Sequence, residues 1–151
     1  MYSPAPEVAA IASDLIGEHH TQLAAAPIVY VFREQATRSK GRLVLGRARR
    51  VTGLNAFLVA LAAGDVSDDE PEEGHDFFVM EIAQDMWATA TEVQKAALID
   101  HELSHFTIDP EKGSFTIRGH DIEEFAAVVS RHGLWQPDLE VFAGACLAGG
   151  L

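Results

Sequence analysis

Cysteine is almost absent. Cys146 stands alone in 151 residues, so no disulfide can form within the chain and no multi-thiolate metal site can be built from one copy. Its simplest role is a small buried hydrophobe in a C-terminal helix. Long apolar runs are also missing. Apolar residues make up 48% of the chain, yet none of their runs approaches the roughly 20 residues that span a bilayer, so a soluble protein with no membrane contact is expected. The start, Met1-Tyr2-Ser3-Pro4-Ala5-Pro6-Glu7, has no basic segment followed by an apolar one, so a cytoplasmic location is expected and a secretory signal is not. Basic charge is scarce. Eleven Lys and Arg face 23 Asp and Glu, and a net charge of −12 opposes general affinity for nucleic acid. The scarcity is uneven, because seven of the eleven basic residues fall in Arg33–Arg50. That stretch is expected as the charged outer face of a hairpin, with a weak nucleic-acid contact as the sharper alternative. At this length one domain, 1–151, with a real core is expected.

What the chain does contain is His101-Glu102-Leu103-Ser104-His105. Residues four apart share one face of an α-helix, so His101 and His105 can aim their imidazoles at one point. Two neutral imidazoles suit a borderline-soft ion such as Zn²⁺. Glu102 lies about 100° round the helix from His101, where it can reach a water on the ion without being a ligand. The surrounding helix is well specified. Thr91-x-x-Gln94 is a capping box, and Ala96, Ile99, Leu103 and Phe106 form a core-facing stripe that leaves the histidines on a separate edge.

The other elements follow from pattern. Glu7–Ala25 reads as a first helix, with His19 and His20 as surface or capping residues at its end. Ile28–Phe32 is a strand, and Gly41–Val51 a strand or hairpin with Gly46 as a bulge. Ala56–Leu61 is expected as a strand, with a short helix as the alternative, since six residues do not separate the two periods. Residues 64–76 are an acidic loop and His75 is expected to be exposed. Phe77–Ile82 is the next strand, in a class of site where a sheet edge beside the active helix often holds an extended substrate. Trp87 should pack under the start of the motif helix. Ser114–Ile117 reads as a short strand, and helices at His120–Arg131 and Pro137–Leu147 close the chain.

A catalytic zinc needs a third protein ligand and an open position. His120 and Glu124 compete for it. Both are placed on one face of the expected His120–Arg131 helix, one as ligand and the other in support of it, with Ile122, Phe125, Val128 and Val129 on the core face. His132 is expected in a structural or surface role, with stabilisation of an oxyanion as the alternative, and Arg118 and Tyr30 are further candidates for that stabilisation.

The blocks Leu98–Phe106, Arg118–Phe125 and Arg131-His132-Gly133-Leu134-Trp135 together resemble the phage metallopeptidase family, small proteins of bacteriophages and prophages. The second block also resembles SprT-like (Spartan-type) proteases, whose matching histidine is the third zinc ligand. That resemblance implies His120, whereas gluzincin-type spacing implies Glu124. It further implies an α+β, zincin-like domain: an N-terminal helix, a small mixed or antiparallel sheet, the motif helix and C-terminal helices. The implied activity is zinc-dependent hydrolysis of a protein or peptide, in the bacterial host cell if the protein is phage-encoded. Glu102 would be the general base, with Zn²⁺ on His101, His105 and His120. Two other readings stand beside it. One is a zinc-containing binding module that acts on a host factor, its fourth position closed. The other is action on DNA-attached proteins through Arg33–Arg50.

Overall fold

The computed structural model describes residues 1–67, 69 and 74–149. The chain is mixed α+β and groups into two compact units, Met1–Arg118 and Gly119–Leu151.

In the first unit a four-stranded mixed sheet runs in the order β1 (Tyr2–Pro4), β2 (Ile28–Arg33), β6 (Phe77–Ala83), β5 (Gly46–Val51). β2 and β6 are parallel, and the other two pairings are antiparallel. Phe77–Ala83 is thus an interior strand. The edge on the side of the motif helix is β5, supplied by the stretch whose arginines dominated its reading. Thr37–Ser39 (β3) and Arg42–Val44 (β4) form a small hairpin just before it. Gly46 opens β5, paired with Ile82, and is not a bulge.

Alternation along β6 divides its two faces. Phe78, Met80 and Ile82 are fully buried and meet helix α1 (Pro6–His19) and helix α4 (Glu92–His105) through Val8, Ala12, Ile99 and Leu103. Each of the larger aliphatic side chains in this set contributes about 1.5–3 kcal/mol on burial. On the other face Glu81, 5% exposed, receives Arg33 Nη1 at 3.2 Å and Arg49 Nε at 3.3 Å. Arg47 Nη2 donates to Thr37 Oγ1, and Arg50 Nη1 to the Phe115 carbonyl. Much of the basic stretch therefore neutralises a buried carboxylate and ties strands together.

Three expectations are corrected. Ala56–Leu61 belongs to a helix, α2 (Gly53–Ala62), not a strand. Leucine and alanine favour a helix, and Gly53, at φ 59°, opens the element instead of breaking it. His20 is buried rather than superficial: it is 9% exposed, and its Nε2 lies 2.6 Å from Asp100 Oδ1. The end of α1 is thereby pinned to the residue just before His101. His75 is half-buried, its ring 5.8 Å from that of Phe57. The acidic-loop reading of 64–76 lies outside the described residues at 68 and 70–73; Gly64–Ser67 and 74–76 are neither helix nor strand.

Trp87, at the end of the short helix α3 (Gln84–Trp87), is buried beside α4. Its Nε1 donates to Glu7 and Lys95 Nζ stands 5.1 Å from the ring centroid. Thr91 and Gln94 make both bonds of the capping box.

The second unit holds α5 (Ala126–His132) and α6 (Pro137–Ala148). Here the expected helix His120–Arg131 is corrected, because residues 119–125 are not helical. Glu124 Oε1 accepts the amide N–H of Phe125, and Gln136 Nε2 donates to its Oε2, so this acid serves the helix start from outside. Phe125 is 77% exposed, not core, and Cys146 is half-buried on α6.

Candidate metal centre

Helix α4 ends in the motif. Ile99, Leu103 and Phe106, each at most 1% exposed, anchor one face, and this rotates His101 and His105 onto another. Their ring centroids are 5.1 Å apart at 78°, and a ligand nitrogen of each lies within 4.8 Å of the other. The helix stops at His105, and Phe106–Ile108 (β7) leaves it to pair with Phe115–Ile117 (β8). Phe78 stacks with Phe106 at 4.4 Å and with Phe115 at 4.5 Å, which fastens this hairpin to the sheet. Asp109 makes its turn: Oδ1 accepts the amides of Glu111 and Lys112, which hold its carboxyl below the usual carboxylate range.

The hairpin brings the chain back beside the motif. Arg118 N donates to the His105 carbonyl at 2.7 Å, and Arg118 Nε donates to the Ser104 carbonyl at 3.2 Å. The Arg118 carbonyl lies 2.6 Å from His105 Nδ1. A carbonyl only accepts, so Nδ1 carries the proton and Nε2 carries the lone pair, the tautomer a metal requires. His101 is exposed and His105 half-buried, so a cation can reach them from solvent, and imidazole nitrogens suit a borderline-soft one.

Glu102 differs from both. It is 4% exposed, and burial pushes its carboxyl up from 4.5 to about 7, with the His105 charge pulling the other way. Its carboxylate lies against Gly46: a Cβ there would stand 2.8 Å from Oε1 and 3.0 Å from Cδ. Gly46→Ala is expected to displace the flexible carboxylate and leave the fold and the histidines in place. If Glu102 serves a metal-dependent hydrolysis, turnover should fall about tenfold to a hundredfold with metal content unchanged; turnover equal to the parent's would show that the contact is immaterial. Sequence reasoning missed this role, because the partner is 56 residues away and Gly46 stood out only as an interruption of a strand.

A groove of about 840 Å³ opens beside Glu102 and His101, between the β4–β5 stretch and the N-terminal half of α4. Tyr30 does not line this groove. Half-buried on β2 and with its hydroxyl pushed up to about 12 by burial, it lines a separate cavity against α1 with Ala9, Ser13 and Ile16. Arg118 flanks the motif. In the second unit His120 is exposed, two residues beyond Arg118, Glu124 is engaged with Phe125 and Gln136, and His132 is exposed in the last turn of α5.

No helix among the described residues is long and apolar enough to cross a membrane. Comparison with curated proteins and with solved structures returned no match. A family model described as "Putative phage metallopeptidase" matches residues 1–144. With His101, Glu102 and His105 assembled at the end of one helix and nearly the whole length matched, the chain belongs to this phage metallopeptidase family.

Proposed function

We propose that the protein is a zinc-dependent peptidase, with His101, His105 and His120 as metal ligands and Glu102 as general base. The observation that carries this reading is the 2.6 Å bond from His105 Nδ1 to the Arg118 carbonyl. It sets the ligating tautomer, and it anchors the chain two residues before His120. Two peptide units reach at most about 7.6 Å between Cα atoms, so the third histidine is tethered close to the first two. Glu124 is the weaker candidate because its carboxylate already accepts from Phe125 and Gln136.

When bound, such an ion lowers the pKa of water and polarises a peptide carbonyl. The chain's own groups do the rest. The Arg118 carbonyl holds the His105 ring in one tautomer and orientation. Burial raises the Glu102 carboxyl to about 7 before any ion is bound, and a bound cation would favour its ionised form, able to take the proton of the attacking water and hand it to the departing amine. The burial of Glu102 against Gly46, which holds its carboxylate in one place, supports this role.

The test is hydrolysis of an unfolded protein by the purified chain. Cleavage should vanish when a chelator removes the metal and return on addition of zinc at one equivalent. Cleavage indifferent to the chelator, or none from zinc-loaded protein, would contradict the proposal.

A further inference from the structure

The groove beside Glu102 has a chemistry of its own, and its interpretation rests on the peptidase reading. One wall is Leu43 and Leu45, the other Ala97 and Leu98, and Trp87 and Ala90 lie between them. Leu43 is 42% exposed and Leu45 39%, so apolar surface is presented to water at the flank of the candidate centre. The ionisable residues lining the groove are His101 and Glu102 themselves. An acidic side chain entering there would lose water without meeting a cation of the groove wall, and a basic one would pair with Glu102 and disable the base. Leu98 and Glu102 are four residues apart on the same helical face, about 6 Å along the axis. That matches the reach of a leucine or phenylalanine side chain from a peptide unit poised at Glu102. The volume exceeds one such side chain, so it also admits the flanking backbone.

We propose that this groove receives a bulky, uncharged apolar side chain, of the leucine or phenylalanine kind, from the residue next to the bond that is cut. Its substrates are then polypeptides that present such a residue in an extended segment.

The experiment is calorimetric titration of zinc-loaded Glu102→Gln protein with blocked peptides acetyl-Ala-Ala-X-Ala-Ala-amide, where X is Gly, Leu, Phe or Asp. The Leu and Phe peptides should bind at least about tenfold more tightly than the Gly peptide, and the Asp peptide no more tightly than Gly. Ala97→Phe, which fills the groove from α4, should cut that advantage to less than about threefold. Leu43→Asp should do the same from the opposite wall, and it serves as the test should the first variant not fold. Binding that is absent or indifferent to X, or a preference that survives both substitutions, overturns the proposal. Cleavage of the same peptides by the unsubstituted zinc-loaded protein is read separately. X-dependent binding without cleavage removes the peptidase reading and leaves the groove; cleavage without preference for X does the reverse.

Discussion

Glu102→Gln should abolish peptide hydrolysis while the protein keeps its metal. Glutamine preserves the shape that packs against Gly46 but cannot accept the proton of the attacking water, and losing a positioned base costs about 10²–10⁴-fold. A fall of about 10³-fold in kcat, with unchanged metal stoichiometry, is the expected result. The same variant has a second consequence in metal-free protein. Glu102 titrates at about 7 when folded against an ordinary value of 4.5, so between these values the folded state holds a proton that the unfolded state has released. Stability therefore falls as pH rises through this window, and above it the full cost, of order 3 kcal/mol, is present. Metal-free Glu102→Gln should be the more stable protein at pH 8 and gain little at pH 4. A gain of equal size at both values would contradict the assignment of the cost to ionisation of a buried carboxyl.

His105→Ala should lose both the metal and the stability that accompanies it. The ring supplies one donor, and its Nδ1–H holds the Arg118 carbonyl, so its removal also loosens the turn that leads to His120. At a free zinc concentration a hundred times Kd, a ligand that binds only the folded state adds about 2.7 kcal/mol. For a chain of this size that raises Tm by roughly 5–10 °C. The parent should show this shift and His105→Ala should show none. His120→Ala should behave in the same way if it supplies the third donor, and Glu124→Ala should retain the shift. A zinc-induced rise in His105→Ala equal to the parent's would rule that residue out as a ligand.

The motif helix was legible because everything that makes it is local. Thr91 and Gln94 are three apart, the stripe Ile99, Leu103 and Phe106 is periodic, and the two histidines are one turn apart. Misreadings arose where the deciding partner is distant or absent. Ala56–Leu61 is too short and too uniformly apolar for its period to be read, and Gly53 begins its helix where a strand break was expected. His20 resembled a helix-end surface residue because Asp100 lies 80 residues further on. Arg38, Lys40 and Arg42 are exposed on the β3–β4 hairpin, the charged outer face expected of this stretch, but the pairing of Arg33 and Arg49 with Glu81 was not legible, because that acid sits on a strand whose other residues are all apolar. His120 and Glu124 shared a helical face only so long as that helix was taken to begin at His120 rather than at Ala126.

Zinc K-edge X-ray absorption of the purified zinc-loaded protein tests most directly for a catalytic zinc on three histidines with a place left for water. Three imidazole nitrogens and one further oxygen are expected, with one imidazole lost in His120→Ala. Four protein side chains closing the coordination sphere, or a spectrum that His120→Ala leaves unaltered, would contradict this expectation.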